Sequence, residues 1–477
     1  MTSTAGAPST NELEVSPAGP NGRGHADLHA ACRELFERTG IHTVQFGCPD
    51  VDGLFRGKRV PATYFLDTVA HKGSMIADIL FGWDVADTIM DGLEHSGWHT
   101  GYRDLALIPD LATVRAVPWE PGVATAICDV RTPDGAAVEI APRRILQRQV
   151  ERAAELGHAF AIGYELEFYL FKETPYSVIE KGYRDLVPAT PELSTYSLHR
   201  LAMIDDVIGD IRDHMNAYGI PIEASNTEYG PGQIEVNIEH CAPLDAADRM
   251  LLYKDGVRQI AARHGYVACF MAKLSGEGAG SSGHIHHSMR PLEAPDRNAF
   301  WDPDGRCESQ LMRQAIAGEL AAMPELTLFH CPTVNSYKRK VEGSWAPTSA
   351  AWGRDNRTTA LRVIAREAAS CRLEHRLPGA DANPYLAIAA CIAGALDGIE
   401  RGLLPPEPIV GNAYAQEAPP LPASLEEAIA AAEAGAVARS AFGPEFVEHF
   451  LATRRWERDR HREAVSDWEL TRYFGRI

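Results

Sequence analysis

Nothing in this chain of 477 residues is apolar for long enough to cross a bilayer. The amino-terminal stretch Met1–Gly24 lacks a basic segment leading into an apolar core, so it does not read as a secretory signal. It is rich in Ser, Thr, Ala, Gly and Pro, and a disordered tail is the expectation. Positive charge is in short supply: 46 Lys and Arg stand against 65 Asp and Glu, a formal net charge of −19. Such a balance counts against nucleic acid or an anionic membrane as partner, because both need a basic surface. The nine cysteines are scattered, with no pair at Cys-x-x-Cys spacing, and read as reduced thiols in a cytoplasmic protein. There is no internal repeat, no Walker A sequence, no kinase catalytic loop and no His-Glu-x-x-His zinc helix.

What is present is a composition ordinary for a globular chain, 45% hydrophobic and 23% charged, and long enough for two or three domains. Apolar spacing predicts a helix over Asp27–Thr39, closed by Gly40, and strands over Ile41–Phe46 and Ala124–Val130. Gly73–Tyr102 has no clear period and is expected to be a long loop, the kind that usually carries function. Residues 25–136 thus read as a small, mostly β domain, and 137–477 as a second, larger one. In the second, strands are expected at Ala159–Phe171, Pro221–Ala224, Gln233–Glu239, Tyr266–Lys273, His284–Met289, Ala360–Arg366 and Cys371–Leu377. Helices are expected at Pro142–Leu156, Glu192–Tyr218, Leu244–His264, Glu308–Met323, Pro384–Arg401, Ser424–Ala434 and Pro444–Ala464. Several of these strands carry charge on one face only, which predicts an antiparallel sheet with one polar, working side.

Four short motifs supply that polar side. Glu165 and Glu167 lie two apart in Gly163-Tyr164-Glu165-Leu166-Glu167-Phe168, so they point the same way from a strand. Glu228 and Glu235 flank a Gly230-Pro231-Gly232 turn that can fold them toward one point. Gly280-Ser281-Ser282-Gly283 runs into a strand on which His284, His286 and Ser288 share a face. Leu373-Glu374-His375-Arg376 places a carboxylate beside a guanidinium. Each alone has a plainer reading, as a solvated sheet face, a polar hairpin or a surface ion pair. Together they make an oxygen-rich set, Glu165, Glu167, Glu228, Glu235 and Glu374 with His284, suited to Mg²⁺ or Mn²⁺ rather than Zn²⁺. Arg339, Arg357, Arg362, Arg372 and Arg376 follow, and guanidinium forks suit carboxylate and phosphate. Divalent metals with arginines are the equipment of phosphoryl transfer.

In their order these motifs resemble the glutamine synthetase family, type I-like. The resemblance runs from about Ile41 to the tail Val465-Ser466-Asp467-Trp468-Glu469. It also includes Asn335-Ser336-Tyr337-Lys338-Arg339, Asp355-Asn356-Arg357 and Asp381-Ala382-Asn383-Pro384-Tyr385-Leu386. It implies an α+β fold, with an N-terminal β-grasp domain and a C-terminal catalytic domain built on a curved antiparallel sheet. It implies subunits in two stacked hexameric rings, with sites between neighbours. Glu167, Glu228 and Glu235 are implied as ligands of one metal, and Glu165, His284 and Glu374 as ligands of a second. Glu223, Ser288, Arg357, Arg362 and Arg372 fall where the family contacts ATP. Gly280, Arg339 and Arg376 fall where it holds glutamate. The implied chemistry activates the glutamate γ-carboxylate as γ-glutamyl phosphate, which a neutral amine then attacks. Arg339, Arg357 and Arg376 are the implied catalytic cations.

Two departures shift the expected substrate. The family's flap glutamate, six residues after the arginine, binds and deprotonates ammonia; here the position is Trp345. The Asp-Gly-Ser-Ser sequence that supplies an ammonium-binding aspartate from the neighbouring subunit is also missing. Met75-Ile76-Ala77-Asp78-Ile79-Leu80-Phe81-Gly82-Trp83-Asp84 stands in its place. An indole offers area and a π-face but no base, which favours a larger amine. The chain therefore resembles the branch that ligates glutamate to organic amines: ethanolamine, alkylamines, polyamines or anilines. Trp345, Asp78, Trp83 and Asp84 are the expected amine pocket. The rival readings are an ammonia-using glutamine synthetase, opposed by Trp345, and an inactive, assembly-forming relative, opposed by the intact metal-ligand set.

Overall fold

The computed structural model describes residues 24–302, 304 and 307–477, and the expected tail Met1–Gly24, except for Gly24 itself, lies outside them. The first sheet is built from β1 (Thr43–Pro49), β2 (Phe55–Pro61), β3 (Ser74–Ala77), β4 (Asp104–Pro109), β5 (Arg115–Ala116) and β6 (Val123–Arg131), in the order β2-β1-β6-β4-β3 with β5 beside β6. Only the β1–β6 pair is parallel. Val44, Phe46, Ala124 and Ala126 are buried within it. The helix His25–Thr39 buries Cys32 and Phe36 and ends on Gly40, whose left-handed φ of +66° glycine adopts without steric cost.

The second sheet comprises β7 (His158–Phe171), β8 (Ile222–Thr227), β9 (Gln233–Cys241), β10 (Val267–Cys269), β11 (Gly283–Pro291), β14 (Trp352–Arg354), β15 (Leu361–Ile364) and β16 (Arg372–His375). Between β11 and β14 a two-residue pair, β12 (Trp301–Asp302) and β13 (Cys307–Glu308), forms a separate ribbon. The order is β14-β15-β16-β11-β7-β9-β8, with β10 beside β7. All pairs are antiparallel except β14–β15. One face of this sheet packs on the helices Pro142–Glu155 and Pro243–Arg263, and is reached through Glu319, His330 and Cys391 by the helices Gln310–His330 and Pro384–Glu400. The last of these is buried almost all round, as its continuous apolar sequence requires. Gly318 lets Gln310–His330 approach it closely, since a Cβ there would lie 2.2 Å from the carbonyl oxygen of Gly394. No described helix is long and apolar enough to cross a membrane.

Some expected elements differ. Glu192–Tyr218 is not one helix but two, Leu198–Ala202 and Asp205–Ala217. The segment before them is held to β8, with the amides of Tyr196 and Ser197 donating to Thr227, and the Ser197 hydroxyl caps the first helix. The stretch Gly73–Tyr102 hides the edge strand β3 and a 3₁₀ turn, Asp78–Phe81. Gln310–His330 continues through Pro324, beyond the expected end at Met323, because Leu326, Leu328 and Phe329 remain apolar and buried. The two sheets are tied by Arg143, buried among Asp110, Asp129 and Asp248, and by Asn383, which donates to the carbonyl oxygens of Asp50 and Val51.

Candidate active site

The open face of the second sheet gathers the polar motifs by register. His284 on β11 sits opposite Glu165 on β7, and Glu167 sits opposite Glu235 on β9. On the other side of β11, His286 faces Glu374 on β16, which in turn faces Arg362 on β15. Period-two alternation puts all of them on one side.

Two groups of donors result. Carboxylate oxygens of Glu167, Glu228 and Glu235 lie within 4.8 Å of one another, as do ligand atoms of Glu165, His286 and Glu374. His284 belongs to the second group by contact: its Nδ1 is 2.9 Å from Glu165 and 3.4 Å from Glu374. Motif matching named only His284 there, although the His-x-His spacing put His286 on the same face.

The electrostatics of the two groups differ. Burial raises the Glu235 carboxyl to about 9, and repulsion from Glu165, Glu167 and Glu228 adds to it. Burial likewise raises Glu167 to about 7, reinforced by Glu228 and Glu165, although the Ser282 amide donates to it at 2.6 Å. Burial also raises Glu228. In the second group burial opposes charge, yet the bonds from His284 and His286 hold Glu165 well below the usual range. Burial is similarly overcome at Glu374, where Arg376 and the two imidazoles hold the carboxyl low. A carboxylate trio held at the cost of mutual repulsion fits a divalent cation, and its all-oxygen donors fit a hard one.

Beside the trio lies a cavity of about 640 Å³. Its walls include Gly280, Arg339, Arg357, Arg376 and the loop 341–346, which carries Trp345. Arg339 is buried and donates to the carbonyl oxygen of Pro378 at 3.1 Å; a Cβ on Gly280 would lie 2.3 Å from its Cγ. The Nε atoms of Arg339 and Arg376 are buried without a hydrogen-bond partner, donors suited to an anionic substrate. Trp345 is 55% exposed and holds a φ of +64°, unusual for a bulky residue. A second cavity, about 890 Å³, adjoins Glu165 and His286 and is lined by Glu223, Ser288 and Arg372. Arg372 donates through Nε to His286 at 3.2 Å, and Arg362 pairs with Glu374 at 2.9 Å.

The expected companions of Trp345 sit elsewhere in the chain. Asp78 is buried and accepts from the Ser96 hydroxyl at 2.7 Å. Asp84 accepts from the amides of Ala86 and Thr88 and from the Trp456 indole. Trp83 lies under the Arg56 guanidinium. None of the three lines the Trp345 cavity; the flap's own carboxylate, Glu342, does.

Residues 139–473 match the glutamine synthetase catalytic domain. The chain belongs to the glutamine synthetase family. Glutamate–isopropylamine ligase of Pseudomonas sp is 42% identical over 449 residues, covering 93% of this chain and 97% of the relative. Gamma-glutamylethanolamide synthetase of Streptomyces coelicolor is 41% identical over 454 residues, covering 95% and 96%. Among solved structures, GmaS with ADP superposes with a TM-score of 0.79 at 30% identity, covering 93% of this chain and 98% of that one. As a glutamine synthetase-type protein the chain is a ligase that forms C–N bonds, in a family that depends on ATP and divalent metal.

Proposed function

We propose that this protein joins the γ-carboxylate of glutamate to an organic primary amine at the expense of ATP, giving a γ-glutamyl amide, ADP and phosphate. The observation that carries this reading is Trp345: at the position where the family's flap carries its glutamate, an indole lines the cavity together with Arg339 and Arg376. The names of the two relatives, a glutamate–isopropylamine ligase and a gamma-glutamylethanolamide synthetase, agree with it. In this reading Arg339, Arg376 and Gly280 hold glutamate. Arg372, Glu223 and Ser288 hold the nucleotide in the adjoining trough, with Arg362 behind Glu374 and Arg357 reaching it from the wall of the Arg339 cavity, so that the γ-carboxylate meets the γ-phosphate between them. Glu167, Glu228 and Glu235 hold one Mg²⁺ or Mn²⁺, and Glu165, His284 and Glu374 another; bound there, the cations neutralise phosphate charge. Trp345 then receives the amine, an alkylammonium against its π-face or an aromatic amine by packing. An alkylammonium must lose a proton before it attacks, and Glu342 is the flap carboxylate placed to take it. We further read residues 25–136 as a β-grasp domain and 137–477 as the catalytic domain of a cytoplasmic homododecamer. In such rings Asp78, Trp83 and Asp84 would serve a neighbour's site.

ADP release with glutamate, ATP and Mg²⁺ tests the reading against ammonia, ethanolamine, isopropylamine, putrescine and aniline. At least one organic amine is expected to exceed ammonia in kcat/KM. Preference for ammonia over every amine would return the chain to ordinary glutamine synthetase activity, and no turnover with any would favour an inactive relative.

A further inference from the structure

The face of the second sheet turned away from the reaction carries another polar cluster, independent of the proposed activity. On β11 and β16 the residues that alternate with His286 and Glu374 are His287 and His375, so they enter the helix layer. There they meet Glu319 and His330 of the helix Gln310–His330 and Cys391 of the helix Pro384–Glu400. None of the five is more than 2% exposed. Ligand atoms of His330, His375 and Cys391 all lie within 4.8 Å of one another. Glu319 borders them, one carboxylate oxygen 3.9 Å from His375 Nε2 and the other 3.1 Å from His287 Nε2. The rings of Phe160 and Phe300 close the site beyond His287.

Several of the polar atoms here have no hydrogen-bond partner: His287 Nδ1, Glu319 Oε2 and the Nδ1 atoms of His330 and His375 are buried and unpartnered, while His287 Nε2 and Glu319 Oε1 have only each other. Buried polar groups are normally satisfied, and each exception asks for an explanation. Three imidazoles, a carboxylate and a thiol, contributed by two strands and two helices, converge among the apolar side chains of this layer. One multivalent partner accounts for this convergence better than several unconnected polar cores.

We propose that His330, His375, Cys391 and Glu319 bind a structural zinc ion behind the catalytic sheet, with His287 supporting the Glu319 carboxylate. The donor set decides the ion. Thiolate with imidazole suits zinc, and four protein ligands without solvent access make a closed structural site. The oxygen-rich front of the sheet selects a hard ion instead. Zinc asks for ligand atoms about 3.5 Å apart in a tetrahedron, so His330, His375 and Cys391 would close by about 1 Å, and Glu319 would complete the set by turning in from beside His375. Ligating carboxylates are usually held by an outer hydrogen-bond partner, the part His287 would play for Glu319. The ion would pin β16 to the two helices at His375, whose neighbours Glu374 and Arg376 face the reaction.

Metal analysis of the full-length protein, produced untagged with zinc in the medium and dialysed against EDTA, tests this. About one zinc per chain is expected, and retained in Glu167→Ala, which alters only the front of the sheet. Cys391→Ser and His330→Gln are expected to hold less than roughly a tenth of that. Because these variants can fail to fold, the wild-type protein refilled with cobalt provides the second reading. A tetrahedral spectrum with a sulfur-to-cobalt charge-transfer band is expected, since the metal-suited groups at the front of the sheet contain no cysteine. Wild-type protein without stoichiometric zinc, or a cobalt spectrum lacking the sulfur band, would overturn the assignment and leave a polar core joined by hydrogen bonds and water.

Discussion

Arg376 reaches from the sheet to the flap: its Nη2 donates to the backbone carbonyl of Trp345 at 3.3 Å while its Nη1 pairs with Glu374. The guanidinium thereby ties the second donor group, the Arg339 cavity and the flap into one unit. A change at any of these three places should be felt at the other two.

Replacing Trp345 by Glu tests the amine end of that unit. Trp345→Glu removes apolar area and restores an ammonium-binding charge. Discrimination between the native amine and ammonia is expected to shift by about 1–3 kcal/mol toward ammonia. The check is kcat/KM for both substrates in both proteins, and an unchanged ratio would place the indole outside the amine pocket.

Glu342→Gln separates proton removal from binding. Turnover of alkylamines, charged near neutral pH, is expected to fall about 10²–10⁴-fold, the usual worth of a general base. Aniline, already neutral, is expected to react at its former rate if it is a substrate; equal losses for both classes would deny Glu342 this role.

At the glutamate end, Arg339→Lys keeps the charge but loses the planar fork. The loss of one charged hydrogen bond, about 1.5–3 kcal/mol, corresponds to roughly ten- to hundredfold in kcat/KM. Steady-state kinetics in glutamate decide it, and unchanged constants would contradict the position.

The carboxylate trio predicts how metal dependence varies with pH. Glu167 and Glu235 have folded-state values raised to about 7 and about 9 from 4.5. The metal-free folded protein thus holds protons that the unfolded chain releases. The contribution of these groups to stability is complete below pH 4.5 and is lost as pH rises through 7 and 9. A divalent cation removes that repulsion. The Mg²⁺-induced rise in Tm is therefore expected to grow from pH 5 to pH 9, toward the equivalent of about 2.7 kcal/mol at a hundredfold excess over Kd. Glu235→Gln is expected to flatten the trend. Thermal scans with EDTA and with Mg²⁺ give the answer, and a Mg²⁺ shift that shrinks as pH rises would contradict the arrangement.

The site was readable from spacing where strands do the positioning. Glu-x-Glu, His-x-His and Glu-x-Arg each fix which side chains share a face, and β7, β11 and β16 then lie side by side. Spacing within one strand cannot say which strands become neighbours; the order of family motifs supplied that. What failed to show were features decided by tertiary contact. The four-residue edge strand β3 has no period of its own to detect. Pro324 looked like a helix end because its missing amide is visible in sequence, whereas the buried surface that carries the helix onward is not. Asp78 and Asp84 were expected at the amine pocket by their place in the motif order, but within their own chain the first is committed to Ser96 and the second to a turn. His330 and Cys391, far apart along the chain, gave no signal of meeting.

Strand β11 has no idle side. His284 and His286 serve the front of the sheet, while Ile285 and His287 are sealed into the layer behind it. Such a segment is sensitive to parity. Inserting or deleting one residue between Ser281 and His284 would slide it half a pleat and turn its two faces inside out, placing an isoleucine among the carboxylates. Two such changes would leave the facing intact while moving every residue along by one pair. Loop exchanges at this junction are therefore governed by whether the count changes by an odd or an even number, more than by which residues are exchanged.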